Sequence, residues 1–121
     1  MYKEIEKRLS IDEHELFSIL GSELVELEER SNNGTVFDSK ESSSFGDIGR
    51  KFWESRVQDI ENKLCFEWEA CKKIENYEQG GDSEKLATTV AELLSTIVTG
   101  LPLATLTSIV IKRGLRNICA C

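Results

Sequence analysis

The feature that most constrains this chain is a run from Leu93 to Ile111, 19 residues without a charged side chain. That is close to the ~20 apolar residues a helix needs to cross a bilayer. Gly100-Leu101-Pro102 lies in its middle, however. A glycine suits the end of one helix and a proline the first turn of the next. The run therefore divides into two helices, each too short to span. The stretch 86–115 predicts an apolar helical hairpin at the centre of a soluble bundle. Insertion of that hairpin into a membrane, with Lys112, Arg113 and Arg116 at the lipid headgroups, is the second reading.

With 121 residues and a single proline, the expected class is all-α and single-domain. The architecture expected is a four-helix, mostly antiparallel bundle with one long loop over about 31–46. Tyr2, Ile5 and Leu9 fall at helical spacing in a short first helix. Ser10 to Glu13 has the form of a capping box for a helix over about 11–30, whose apolar row is Leu16, Leu20, Leu24 and Leu27, widened by Phe17. Glu23, Glu26, Glu28 and Glu29 are expected to face water. Asp47 is the expected N-cap of a longer helix over about 48–77, with Trp53, Val57, Ile60, Leu64, Cys71 and Ile74 along a packing seam. At ~1.5 Å per residue that helix would outrun either half of the hairpin, so it should overhang or bend. The next helix, about 83–99, carries a ridge of small residues, Ala87, Ala91, Ser95 and Thr99, at every fourth position. Such a ridge lets another backbone approach closely. The last helix runs from Pro102 to a cationic end at Lys112 and Arg113 and exits through Gly114, with Leu115 and Ile118 able to continue it.

The net charge of −7 is uneven: residues 1–85 hold 12 cationic against 21 acidic side chains, and residues 86–121 hold 3 against 1. A phosphate-gripping surface needs clustered cations in a favourable field, so nucleic acid is not expected as a partner. The N-terminal MYKEIEKRL has no apolar signal core, which points to a reducing cytoplasm and to Cys65 and Cys71 as small buried hydrophobes. On a continuous helix a C-x5-C spacing points two sulfurs about 240° apart, which argues against zinc. The terminal Cys-Ala-Cys has the form of a doubly prenylated tail, but the rest of a small GTPase is missing.

Catalysis finds little to work with. The single histidine, His14, lies in a Glu-rich first turn, and neither Gly46 with Gly49 nor Gly80 with Gly81 carries the Lys and Ser/Thr of a phosphate loop. Glu23 with Glu26, Glu29 and Glu75 with Glu78 are the carboxylates that an all-α, metal-dependent nucleotide pyrophosphatase would use, yet the matching Glu-x-x-Asp is missing. The leading expectation is a non-enzymatic helical interaction module, without cofactor or metal: an adaptor, inhibitor or small subunit. Its partner is a protein, with self-association as a second form. Val36, Phe37 and Phe45 are a candidate docking motif in the loop; Trp53, Trp68, Ala87, Ala91, Ser95, Lys112, Arg113 and Arg116 are the remaining interaction candidates.

The ridge gives the first test. Ala91→Leu overfills a position where backbones should meet, and is expected to cost ~1 to 3 kcal/mol in urea melts. An unchanged midpoint would mean that the ridge is not a packing face.

Overall fold

A computed structural model describes residues 2–31, 44–81, 83–98 and 102–121, and all the secondary structure in them is helical. In order these are α1 (Tyr2–Leu9), α2 (Glu13–Ser31), α3 (Phe45–Glu61), a π-helical turn (Asn62–Glu67), α4 (Ala70–Gly80), α5 (Ser83–Leu94), α6 (Pro102–Arg113) and α7 (Leu115–Cys119). The loop candidates Val36 and Phe37 lie outside the described residues.

The two halves of the expected hairpin are not equivalent. In α6 every residue from Ala104 to Val110 is buried, as is Pro102, so this helix is enclosed while α5 covers one flank. Leu106, Ile109 and Val110 meet Leu16, Leu20, Ile60, Leu64 and Leu94 in the main core. The first two residues of the small ridge face inward as expected, Ala87 and Ala91 of α5 packing with Ala104 of α6 and Ile5 of α1 in a second cluster; Ser95 is half-buried past the helix end, and Thr99 lies outside the described residues. Enclosure obliges the hydroxyls of α6 to find partners, because an unpaired buried hydroxyl costs about 1–3 kcal/mol. Thr107 Oγ1 donates to the Leu103 carbonyl at 2.8 Å, and Ser108 Oγ to that of Ala104 at 2.8 Å. No helix among the described residues is long and apolar enough to cross a membrane.

Three expected boundaries move, each because a hydroxyl or carboxylate finds a better backbone partner. Ser10 Oγ donates to the Lys7 carbonyl at the end of α1, and Asp12 Oδ1 instead accepts from the Glu15 amide at 2.9 Å, so the cap of α2 is Asp12. Ser44, not Asp47, caps α3: Asp47 stands three residues on and its amide donates to Ser44 Oγ at 3.2 Å. Helix α5 ends at Leu94, short of Thr99, where the Ser95 and Thr96 hydroxyls donate to the Glu92 and Leu93 carbonyls and the chain tightens into a turn.

The expected helix over 48–77 bends in its second half. After the π-helical turn, Glu69 takes a left-handed φ of 59° before α4 begins. The sulfurs of Cys65 and Cys71 are thus not fixed by one helical repeat. Each is joined to the C-terminal tail, Cys65 to Cys119 and Cys71 to Cys121, and free thiols are absent. This overturns the expectation of small buried thiols, since Cys71 is exposed and Cys65 half-buried.

Helices α2 and α3 approach each other closely, and the approach depends on glycine. A Cβ at Gly21 would collide with the Phe45 carbonyl, one at Gly49 with the Phe17 carbonyl, and one at Gly46 would stand 3.2 Å from Ser18 Oγ. The Gly46 and Gly49 pair therefore serves packing. Alanine is ~1 kcal/mol better than glycine inside a helix, so a glycine kept at such a place marks a steric requirement. Gly80, at the end of α4, has nothing within 4 Å of its would-be Cβ. Urea melts should separate the two: Gly49→Ala loses ~1 to 3 kcal/mol by forcing α2 and α3 apart, while Gly80→Ala is neutral or gains up to about 1 kcal/mol. Equal midpoints for the two variants would contradict the close contact.

Candidate functional site

A cleft of about 480 Å³ opens between the start of α2, the second half of α3 and the corner where α6 passes into α7. Its walls bring together three of the residues singled out from sequence, Trp53, Lys112 and Arg113. Trp53 comes from the inward row of α3 and is buried by its edge-to-face contact with Phe17, ring centroids 6.3 Å apart. Arg113, at the end of α6, is held in the plane above both rings, its guanidinium 5.1 Å from the Trp53 centroid and 5.6 Å from that of Phe17. Glu13 fixes it from α2 through contacts of 2.8 Å to Nε and 2.7 Å to Nη2. Moving the cap to Asp12 is what leaves the Glu13 carboxylate available for this pair. Behind the rings, Arg50 lies 5.7 Å from the Phe17 centroid and donates to His14 Nδ1 at 2.6 Å.

Val57 and Ile118 add apolar floor, and Glu61, Lys112 and Asn117 complete the rim. Lys112 extends to the Leu9 carbonyl at 2.9 Å, a cation set against the carbonyl end of α1. Gly114, at φ 90°, turns the chain so that α7 can bring Asn117 and Ile118 to the cleft. Five lining residues, Glu13, Val57, Glu61, Asn117 and Ile118, were not distinguished as a site from sequence. Their convergence depends on the Gly114 turn and on the tail being tied to Cys65, neither of which leaves a periodic signal.

The other candidates scatter. Arg116 lines a neighbouring cleft of about 370 Å³ with Ile74, Leu86, Ile111 and Leu115. Trp68 is half-buried beside Tyr77, centroids 6.0 Å apart, with Lys73 over its ring. Phe45 is 46% exposed at the first turn of α3, and Phe66, which the sequence reading passed over, is 72% exposed in the π-helical turn. Ala87 and Ala91 are spent inside the molecule, and Ser95 is half-buried in the turn after α5.

Glu23, expected on a water-facing side and considered for Mg²⁺, sits in a partly buried network. Thr105 Oγ1 donates to Glu23 Oε1 at 2.6 Å, Arg8 Nε donates to Thr105 Oγ1 at 2.9 Å, and Arg8 Nη2 reaches Glu23 Oε2 at 3.5 Å. Among the described residues there is no cluster of three or more histidine, cysteine or acidic side chains placed to hold a metal ion. The main cleft is lined by carboxylates, cations, an amide and apolar groups, with no thiol, hydroxyl or imidazole. No family model matches the chain, no curated protein matches it in sequence, and no solved structure matches it.

Burial raises the Glu23 carboxyl above its ordinary value of 4.5, against the lowering effect of the Thr105 hydroxyl and of Arg8. A carboxyl raised in this way binds its proton more tightly in the folded chain than in the unfolded one. Its favourable contribution is complete below the unfolded value and is lost as pH rises through the folded one. Glu23→Gln keeps an acceptor for Thr105 and abolishes the titration. Urea midpoints of wild type should therefore fall relative to Glu23→Gln as pH rises from about 4 through the window just above 4.5. Thr105→Val strips the carboxylate of its shortest bond and should cost about 1–3 kcal/mol at neutral pH. Parallel pH curves for wild type and Glu23→Gln would show that the carboxyl is not held in the way described.

Proposed function

We propose that the chain is a non-enzymatic helical interaction module, an adaptor, inhibitor or small subunit, in which α2, α3, α5 and α6 act as a four-helix frame and the Trp53–Arg113 cleft receives a protein segment. The observation that carries this reading is the composition of that one cleft. Tryptophan and arginine are the residue types that most often dominate binding energy, and here they are stacked, pre-positioned by Glu13 and set above an apolar floor. Holding a side chain in place before binding lowers the ordering cost paid on association.

The rim indicates what would bind. Glu61 makes no ion pair among the described residues, and the whole chain carries a net charge of −7. A partner segment with one apolar side chain for Val57 and Ile118 and a basic residue beside it for Glu61 fits this cleft, whether it comes from another protein or from a second copy.

A photo-crosslinking side chain at Asn117, on the rim, tests the reading in the native source against the same group at exposed Lys51. A discrete adduct is expected from position 117 and not from 51, and Val57→Asp should lower its yield about thirtyfold, the loss of a ~2 kcal/mol contact, with helix content unchanged. Equal yields from both positions, or an adduct indifferent to Val57→Asp, would refute docking at this cleft; a product of twice the chain mass would identify the partner as a second copy.

A further inference from the structure

We infer that Cys71–Cys121 is a thiol–disulfide exchange site and that, together with Cys65–Cys119, it forms a two-stage redox latch on α7. Both disulfides join the same two places, the bend between α3 and α4 and the last residues of the chain, with sequence separations of 54 and 50. Once one of them closes the loop, the second closes almost nothing further, so chain entropy gives little reason for it. Nor does the chain lack a core and so need staples: among the described residues 19 apolar side chains are buried. The pair differs in access. Cys71 and Cys121 are both exposed, whereas Cys65 and Cys119 are both half-buried. Exchange proceeds by in-line attack of a thiolate on sulfur, and its rate follows access.

The chemistry requires a dithiol reductant, protein or small molecule. One of its thiolates attacks Cys121 Sγ; the bond to Cys71 breaks, and Cys71 leaves as a thiolate that takes a proton. The second thiolate then attacks the reductant's own sulfur in the mixed disulfide. Cys121 is released as a thiolate and the reductant closes its disulfide, so that two electrons have passed to the chain. The inner bond, Cys65–Cys119, is opened afterwards by the same two attacks of a second dithiol, more slowly because both of its cysteines are half-buried.

Release has a structural consequence. Helix α7 is five residues long and starts after a glycine at φ 90°. A helix of that length does not hold itself. Leu115 anchors its first residue in the core; beyond it Ile118 is half-buried, Asn117 Nδ2 donates to the Arg113 carbonyl at 2.7 Å, and the two disulfides are the covalent ties of the tail to the bend between α3 and α4. Since Asn117 and Ile118 form one wall of the main cleft, full reduction dismantles that wall. This last consequence rests on the docking function proposed above; the order of reduction and the release of α7 do not.

The test uses the intact oxidised chain, dithiothreitol as the dithiol, and alkylation followed by peptide mass mapping. Cys71 and Cys121 are expected to label at least about tenfold faster than Cys65 and Cys119. Equal or reversed rates overturn the two-stage latch. Amide exchange supplies the second measurement: in the fully reduced chain, the Asn117, Ile118 and Cys121 amides, which now bond to the Gly114 and Arg116 carbonyls, should lose about tenfold or more of their protection while those of Leu106 and Ile109 keep theirs. Retained protection of α7 overturns its release. If full reduction unfolds the chain, Cys71→Ser with Cys121→Ser keeps the inner bond and reads the first stage alone: the amide at position 121 must lose its protection while those of Leu106 and Ile109 keep theirs, and retained protection at 121 overturns the first release. Crosslinking from position 117 separates the two proposals. An adduct that forms equally well with α7 released overturns redox control of docking, whereas no adduct from the oxidised wild type overturns docking and leaves the latch to the labelling and exchange results.

Discussion

The structure depends on enclosing one helix. Because α6 is buried from Ala104 to Val110, every other element has to present a surface to it or to something that touches it. Enclosure also sets the polar chemistry of the interior. Thr105, Thr107 and Ser108 are fully buried, and each hydroxyl is bonded, two to carbonyls one turn back and one into the Glu23 and Arg8 network. A hydroxyl that folds back on its own helix asks little of its neighbours, and the alanines of α5 pack beside Ala104 of that helix. Thr105 does need a neighbour, and the carboxylate and guanidinium that answer it tie α1 and α2 to the centre.

Much of this was legible in the residues. The start of α6 at Pro102, the inward Ala87 and Ala91 of α5, the apolar rows of α1 and α2 and the exit through Gly114 all follow from periodicity and turn chemistry, and the excess length of the helix over 48–77 left overhang or bend as its alternatives. They are local properties, and the chain states them locally. The pairings were not legible. Glu23 reads as one carboxylate among several on a helix, and only the position of Thr105, 82 residues away, shows that it points inward. Gly21 leaves no mark on the apolar row around it, and Gly49 was weighed with Gly46 only as a phosphate loop, whereas the Phe45 and Phe17 carbonyls stand where their side chains would be. The disulfides were hidden by a reading of context: an N-terminus without an apolar signal core pointed to reduced thiols, and nothing local to Cys65 or Cys71 names Cys119 or Cys121 as its partner.

The candidate site was half legible for the same reason. Trp53 and Arg113 stood out by residue type, and a bulky aromatic on a seam and a cation at a helix end are ordinary enough singly. Their stacking is a tertiary fact. It needs Glu13 freed from capping, a consequence of Asp12 being the better acceptor at that turn. A shift of two residues in one helix cap thus decides whether the guanidinium has a fixed counter-ion.

The covalent connections also change what unfolding means for this chain. Cys65–Cys119 closes a loop that contains α4, α5 and α6, so the central helix belongs to a ring while α1, α2 and α3 pack onto it from outside. On the chain-entropy account, closing a ring of that size removes about 4 kcal/mol of freedom from the denatured ensemble. The saving falls on one half of the molecule alone. In the oxidised chain the α5–α6 pair searches for its packing within a confined circle, whereas α2 and α3, whose glycine contact admits no slack, assemble as free polymer. The order in which the two halves come together is thus written partly in the oxidation state of four sulfurs.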